Sequence, residues 1–118
     1  MKPSCNAGTT AVEFALIAAP LVMLVVGTLY AGLVMYSVAG LHSAVEAGAR
    51  CYSVNASQCG TVSATETYAQ NNYEGVGTPT FTASSAACGH EVSGTLSLTL
   101  NAGVASWNVP LSATACFP

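Results

Sequence analysis

The 28 residues from Phe14 to Leu41 carry no charged side chain and are interrupted only by Pro20, Thr28, Ser37, two tyrosines and three glycines. Coiled as a helix at about 1.5 Å per residue, such a run is ~42 Å long. The hydrocarbon core of a bilayer is about 30 Å thick, so the run can cross a membrane with length to spare. The alternative is a helix buried inside a soluble protein, but the ~75 residues that follow are too polar and glycine-rich to wrap one of this length. A single membrane span is the expectation, and it leaves only the second part of the chain to build a water-facing domain.

A carboxylate stands at the mouth of this run, because Glu13 directly precedes Phe14. A charge within a membrane costs about 2.5–3.5 kcal/mol on insertion scales, so its default reading is functional. The blander alternative places Glu13 at the headgroups, where it marks the boundary and complements the positive end of the helix dipole.

Charge is scarce elsewhere. Lys2 and Arg50 are the basic side chains, and Glu13, Glu46, Glu66, Glu74 and Glu91 the acidic ones, for a net charge of −3. Two basic side chains make no electrostatic footprint for nucleic acid, so none is expected as a partner. Catalysis lacks a convincing site as well. The chain has no Asp; His42 and Glu46 form a solvated i, i+4 pair without a third ligand. His90 and Glu91 are neighbours on a strand and point to opposite faces. No enzyme activity, metal or cofactor is expected.

Orientation follows from Lys2 and the initiator amine, which precede the run and favour an N-terminus in the cytoplasm. Arg50, beyond the run, argues weakly the other way, and the cysteines decide between them. Cys51, Cys59, Cys88 and Cys116 all follow the run in a Ser/Thr/Asn/Gly-rich segment. An even count there suits two disulfides in an oxidising compartment. Cys5 precedes the run, where no lipidation logic applies.

The start of the chain is no ordinary signal peptide, whose apolar region is shorter, about 7–15 residues. A short polar leader, MKPSCNAG, ends in Gly8; counting from Thr9, Glu13 is the fifth residue and Phe14 the sixth. This arrangement is similar to the processing site of type IV pilin-like proteins, which a prepilin peptidase cuts after the glycine on the cytoplasmic side. The stretch TAVEFALIAAP, with Pro20 early in the run, and the later EAGARCYSV resemble more narrowly the TadE-type minor pilins or pseudopilins of the tight-adherence (Tad/Flp, type IVb) pilus system. The resemblance spans about residues 8–54. It implies cleavage between Gly8 and Thr9, an assembly role for Glu13 and Phe14, anchorage in the bacterial inner membrane, and partners among prepilin peptidase, other pilin or pseudopilin subunits and the Tad assembly platform.

Within the helix, Gly27 and Ala31, then Gly40, Ala44 and Gly48, repeat at a spacing of four, which allows close approach of a neighbouring helix. Pro20 withholds one backbone N–H and should bend or loosen the helix locally. The helix is expected to continue to about Ser53, since Leu41, Val45, Ala49 and Tyr52 keep helical spacing.

Beyond it, NASQCG reads as a turn, and Ser63-Ala64-Thr65-Glu66 as a capping box opening a short helix to about Tyr73, ended by Gly75 and Gly77. Three strands should follow: TPTFTAS from Thr78, GTLSLTL with Leu96, Leu98 and Leu100 on one face, and VPLSATACF with Leu111, Ala113 and Ala115 on one face. Pro110 belongs at an edge or a strand start. Four cysteines allow three pairings; Cys51 with Cys59 and Cys88 with Cys116 are favoured, a zinc site being the weaker alternative. Asn55-Ala56-Ser57 has the form of a glycosylation acceptor, a pattern common by chance.

The expectation is an α+β, pilin-like fold in three parts: a leader over 1–8, an apolar helix over 9–53 that spans the membrane at about 14–41, and an extracytoplasmic disulfide-linked domain over 54–118. The expected function is that of a minor pilin or pseudopilin, assembled into or needed for an adhesive pilus. The alternative is a permanently anchored periplasmic binding or scaffold module of the pilus machinery.

Overall fold

The computed structural model describes residues 7–118; most of the leader, with Lys2 and Cys5, lies outside the described residues. One long helix, α1 (Ala7–Val54), is followed by two short ones, α2 (Ala56–Cys59) and α3 (Val62–Asn71), and by three strands, β1 (Thr80–Ala86), β2 (Gly89–Asn101) and β3 (Ser106–Phe117). The fold is α+β. Contacts divide the chain into two units, Met1–Gly32 and Leu33–Pro118, so the second unit takes in the C-terminal part of α1 together with all that follows.

In the first unit, α1 buries nothing large. Phe14, Leu16, Ile17, Leu21, Met23 and Leu24 are all well over half exposed. Such a surface requires an apolar surrounding, and no part of its most apolar stretch is buried within the protein. Thr28, a polar interruption, donates its hydroxyl to the Val25 carbonyl at 2.8 Å, which satisfies it without water.

In the second unit the same helix becomes amphipathic. Ser37, Leu41, Ala44, Val45, Gly48 and Ala49 are buried, a stripe at the i, i+3, i+4 spacing of a helix that covers a core. The stripe meets one face of a three-stranded antiparallel sheet of order β1-β2-β3. Strand alternation supplies that face: Phe81 and Ala83 from β1, Val92, Leu96 and Leu98 from β2, and Ala113 from β3 join Leu41, Ala44, Val45 and Ala49 in one cluster. Leu111 and Ala115 pack against it, on the face expected for them. The other face carries Thr82, Ser93, Thr95, Ser97 and Thr114, and water can solvate their hydroxyls.

Small residues set the distance between helix and sheet. A Cβ on Gly40 would run into the Glu74 carbonyl, and one on Gly48 would lie 3.2 Å from the Ala69 Cβ and 3.5 Å from Val92. The Gly40, Ala44, Gly48 row therefore serves packing inside this unit, where spacing alone suggested a neighbouring helix. Gly27 differs, since a Cβ there meets nothing within 4 Å. The two glycines should respond with opposite signs. Gly27→Ala gains helix propensity worth about 1 kcal/mol and should leave thermal unfolding of the second unit unchanged. Gly40→Ala should lower its midpoint despite the same propensity gain, because a backbone carbonyl has to move.

Several local expectations need correction. The segment after Cys51 is a one-turn helix, α2, whose N-cap Asn55 accepts from the Gln58 N–H. The cap of α3 is Thr61, which accepts from the Ala64 N–H at 3.2 Å, and not Ser63. Glu66 does not reach back to close a capping box; it accepts from the Ala83 N–H at 3.1 Å and so ties α3 to β1. That bond covers part of an edge that would otherwise invite pairing. The helix stops at Asn71, capped by Asn72, before Tyr73 and the two glycines. All three strands have different bounds from those expected. Pro110 lies within β3, opposite Ser97, and is tolerated there because β3 is an edge strand.

Two disulfides brace the unit. Cys51–Cys59 closes the loop after α1, and Cys88–Cys116 ties the β1–β2 turn to the end of β3. The last residues also dock on α1: Ser53 donates its hydroxyl to the Pro118 carbonyl at 2.6 Å, and the Arg50 guanidinium lies 5.5 Å from the centre of the Phe117 ring, a cation–π distance.

Candidate functional site

The residues expected to serve processing and assembly stand on the first turns of α1. Gly8 and Thr9 are helical and exposed, and a Cβ on Gly8 would meet nothing within 4 Å. Glu13 is exposed one turn after Thr9. Its carboxylate has no hydrogen bond or ion pair among the described residues. Phe14, 74 % exposed, follows it into the apolar surface. The sequence feature and the geometry agree on one point: a carboxylate and a wide apolar face are presented outward together.

Pro20 lies inside α1, whose helical assignment is unbroken from Ala7 to Val54. It has no N–H to give the Leu16 carbonyl. Gly27 and Ala31 are exposed on the same helix, a place where another backbone can come close.

The second unit offers a different surface. Ser43, Glu46, Ala47 and Arg50 on α1 line an open groove together with Tyr68 and Phe117. Glu46 and Arg50 put opposite charges along it. His42 and Glu46 are both exposed on α1, and no group of three potential metal ligands occurs among the described residues. His90 turns inward, its ring centre 4.2 Å from that of Tyr52, while Glu91 lies opposite Cys116 in the β2–β3 register. The two are thus split between faces. Asn55 is engaged as a cap: its side-chain oxygen accepts from the Ser57 hydroxyl at 2.6 Å, and its amide donates to the Gln58 side chain at 3.3 Å.

Sequence reasoning missed two contacts that position these surfaces. Ser37, fully buried, accepts from the Val76 N–H at 3.2 Å, and the Tyr73 hydroxyl donates to the Val76 carbonyl at 2.9 Å. Together they fix the loop between α3 and β1 to the helix. A serine followed at helical spacing by Leu41 and Val45 was the available signal for Ser37, since a polar residue on a buried stripe implies a partner.

No curated protein and no solved structure matches the chain. A family model does: residues 8–50 match the one described as TadE-like protein. The matched segment holds Gly8, Thr9, Glu13, Phe14, Pro20 and the whole apolar run, and ends just before Cys51. Over that segment the chain is similar to TadE-like proteins.

Proposed function

We propose that the chain is a minor pilin or pseudopilin of a Tad/Flp type IVb pilus. In this reading a prepilin peptidase cuts between Gly8 and Thr9 on the cytoplasmic face. The mature helix stays in the inner membrane, with its N-terminus in the cytoplasm and the disulfide-braced unit in the periplasm, until the Tad assembly platform moves it among other pilin or pseudopilin subunits. The pilus it joins or helps to build serves adhesion.

The observation that carries the reading is the outward presentation of Glu13 beside a bare apolar helix, inside the family-matched segment. Cleavage would leave a new amine on Thr9, one turn from Glu13. In a bundle of such helices, the carboxylate of one subunit can pair with the amine of the next, which relieves both charges and sets axial register. Gly27 and Ala31 permit close approach, and Pro20 gives the helix a place to adjust as it leaves the bilayer.

Fractionation tests the proposal. The chain should be recovered in sheared pili when the peptidase is active. Recovery in the inner membrane alone would favour a permanently anchored module of the pilus machinery.

A further inference from the structure

The two edges of the sheet differ. β1 lies beside α3, and the Glu66 carboxylate accepts from the Ala83 N–H. β3 forms the other edge, and among the described residues no other element bonds to the backbone of Ser112, Thr114 or Cys116. No charged side chain follows Glu91, so β3 has no lysine or glutamate of the kind that keeps an edge from pairing. Its single guard is Pro110.

The ladder fixes which groups that edge presents. Because the Ala83 N–H points at Glu66, Ala83 and its partner Val92 are not hydrogen-bonded to each other. Bonded and non-bonded pairs alternate along an antiparallel ladder, so Val92 turns its N–H and carbonyl to β3 and bonds with Ala115. The register runs without a bulge from His90 opposite Phe117 to Asn101 opposite Ser106. Leu111 and Ala113 therefore also bond inward, while Ser112, Thr114 and Cys116 turn their N–H and carbonyl groups away from the sheet. Pro110 has the same parity, the one at which an edge strand accepts proline.

The sequence around this row is symmetric about Thr114. It reads Leu111-Ser112-Ala113-Thr114-Ala115-Cys116-Phe117: alanine flanks the centre on both sides, then come Ser and Cys, which differ by one atom, then two large apolar side chains. Turned end for end, the segment presents the same shape. Leu111 is only partly buried and Phe117 is 36 % exposed, both on the face that α1 covers.

We infer that β3 is a self-association edge, at which a second copy of this chain pairs antiparallel across a two-fold axis at Thr114. In that register Ser112 faces Cys116 of the other copy and Thr114 faces its own counterpart; each of these pairs exchanges two N–H···O=C bonds. Ala113 faces Ala115 and Leu111 faces Phe117, so the two incompletely covered apolar side chains shield each other. Pro110 falls opposite Pro118, and the residues that cannot donate meet at the two ends of the ladder. On the hydroxyl-bearing face the paired threonines are favourable cross-strand neighbours. The product is one six-stranded sheet, three strands from each copy, with both helices on one face and their segments 33–54 antiparallel. This polarity sets the contact apart from the parallel packing of α1 proposed above. A second copy is the occupant because the edge is complementary to itself in hydrogen bonding, shape and neutral charge together.

Sedimentation equilibrium of the full, oxidised chain in a density-matched detergent tests the contact, with amide hydrogen exchange read by NMR on the same samples. A reversible dimer is expected, in which the amides of Ser112, Thr114 and Cys116 exchange about tenfold or more slowly than in the dilute monomer. Thr114→Pro withdraws both bonds of the central pair and should weaken the dimer about 30-fold or more. It removes no ladder bond to β2, so the near-ultraviolet circular dichroism and the slow inward amides of Ala113 and Ala115 should be unchanged. A chain that stays monomeric would overturn the inference. So would a dimer whose three outward amides keep the monomer's exchange rate, which assigns the contact to the apolar surface of α1, or a dimer that a folded Thr114→Pro chain forms at full strength. If the proline variant unfolds, the exchange rates of the unaltered chain decide alone.

Discussion

Glu13→Leu should leave the chain inserted and its second unit folded, yet reduce its recovery in sheared pili about 30-fold or more. Insertion becomes easier, because a charge that costs about 2.5–3.5 kcal/mol in a membrane is gone. Assembly becomes harder, because the Thr9 amine of a neighbouring subunit then has no counter-charge. Removing one partner of a buried charge pair costs about 2–5 kcal/mol, and the lower figure already corresponds to ~30-fold. Quantitative mass spectrometry of the sheared and membrane fractions reads the outcome. If recovery is unchanged, Glu13 marks the membrane boundary and has no part in register.

The second large effect concerns the second unit, Leu33–Pro118. Reduction of both disulfides should unfold it under conditions where the oxidised chain is stable. In the chain-entropy account, a bridge closing a loop of 28 residues contributes about 3.5 kcal/mol, and one closing 8 residues about 2.5 kcal/mol. Their sum is comparable with the whole stability of a small domain. The core cluster is built from alanines and a few larger side chains, with Leu41, Val45, Phe81, Val92, Leu96 and Leu98 the main contributors, so little is in reserve. Paired replacement of Cys88 and Cys116 by serine should lower the denaturation midpoint more than the same change at Cys51 and Cys59. Near-ultraviolet circular dichroism of the full chain during urea titration measures both. Equal midpoints for the oxidised and reduced chains would show that the core suffices alone.

Much of this architecture is legible in the sequence because its strongest signals are local. The uncharged run from Phe14 fixes α1, the spacing of Leu41, Val45 and Ala49 fixes its inner stripe, and the alternation of Leu96, Leu98 and Leu100 identifies β2. What stayed hidden depends on tertiary partners. Ser63 and Thr61 can each open a helix, and the spacing of Glu66 favours Ser63, but the Ala83 N–H of β1 claims its carboxylate. Gly40 and Gly27 look alike in a small-residue row; only the Glu74 backbone distinguishes them. The β2–β3 hairpin escaped notice because its Gly103-Val104 turn lacks the Asn-Gly or Asp-Gly pair that marks the commonest tight turns. Trp107 lies between the two alternating runs, although β3 begins at Ser106.

The site divides in the same way. Gly8, Glu13 and Phe14 stand out as a linear pattern, since the proposed cleavage site and the first turns of a helix are contiguous in the chain. The groove beside Glu46 and Arg50, and the aromatic contacts of Tyr52 and Phe117, bring together residues far apart in sequence, and no spacing rule finds them.

The most direct measurement is the intact mass of the chain taken from sheared pili. The account predicts a polypeptide that begins at Thr9, lacking residues 1–8, and predicts that Gly8→Val, which puts a bulky side chain at the scissile bond, yields an uncut chain confined to the membrane fraction. A chain found in pili with residues 1–8 still attached would contradict it.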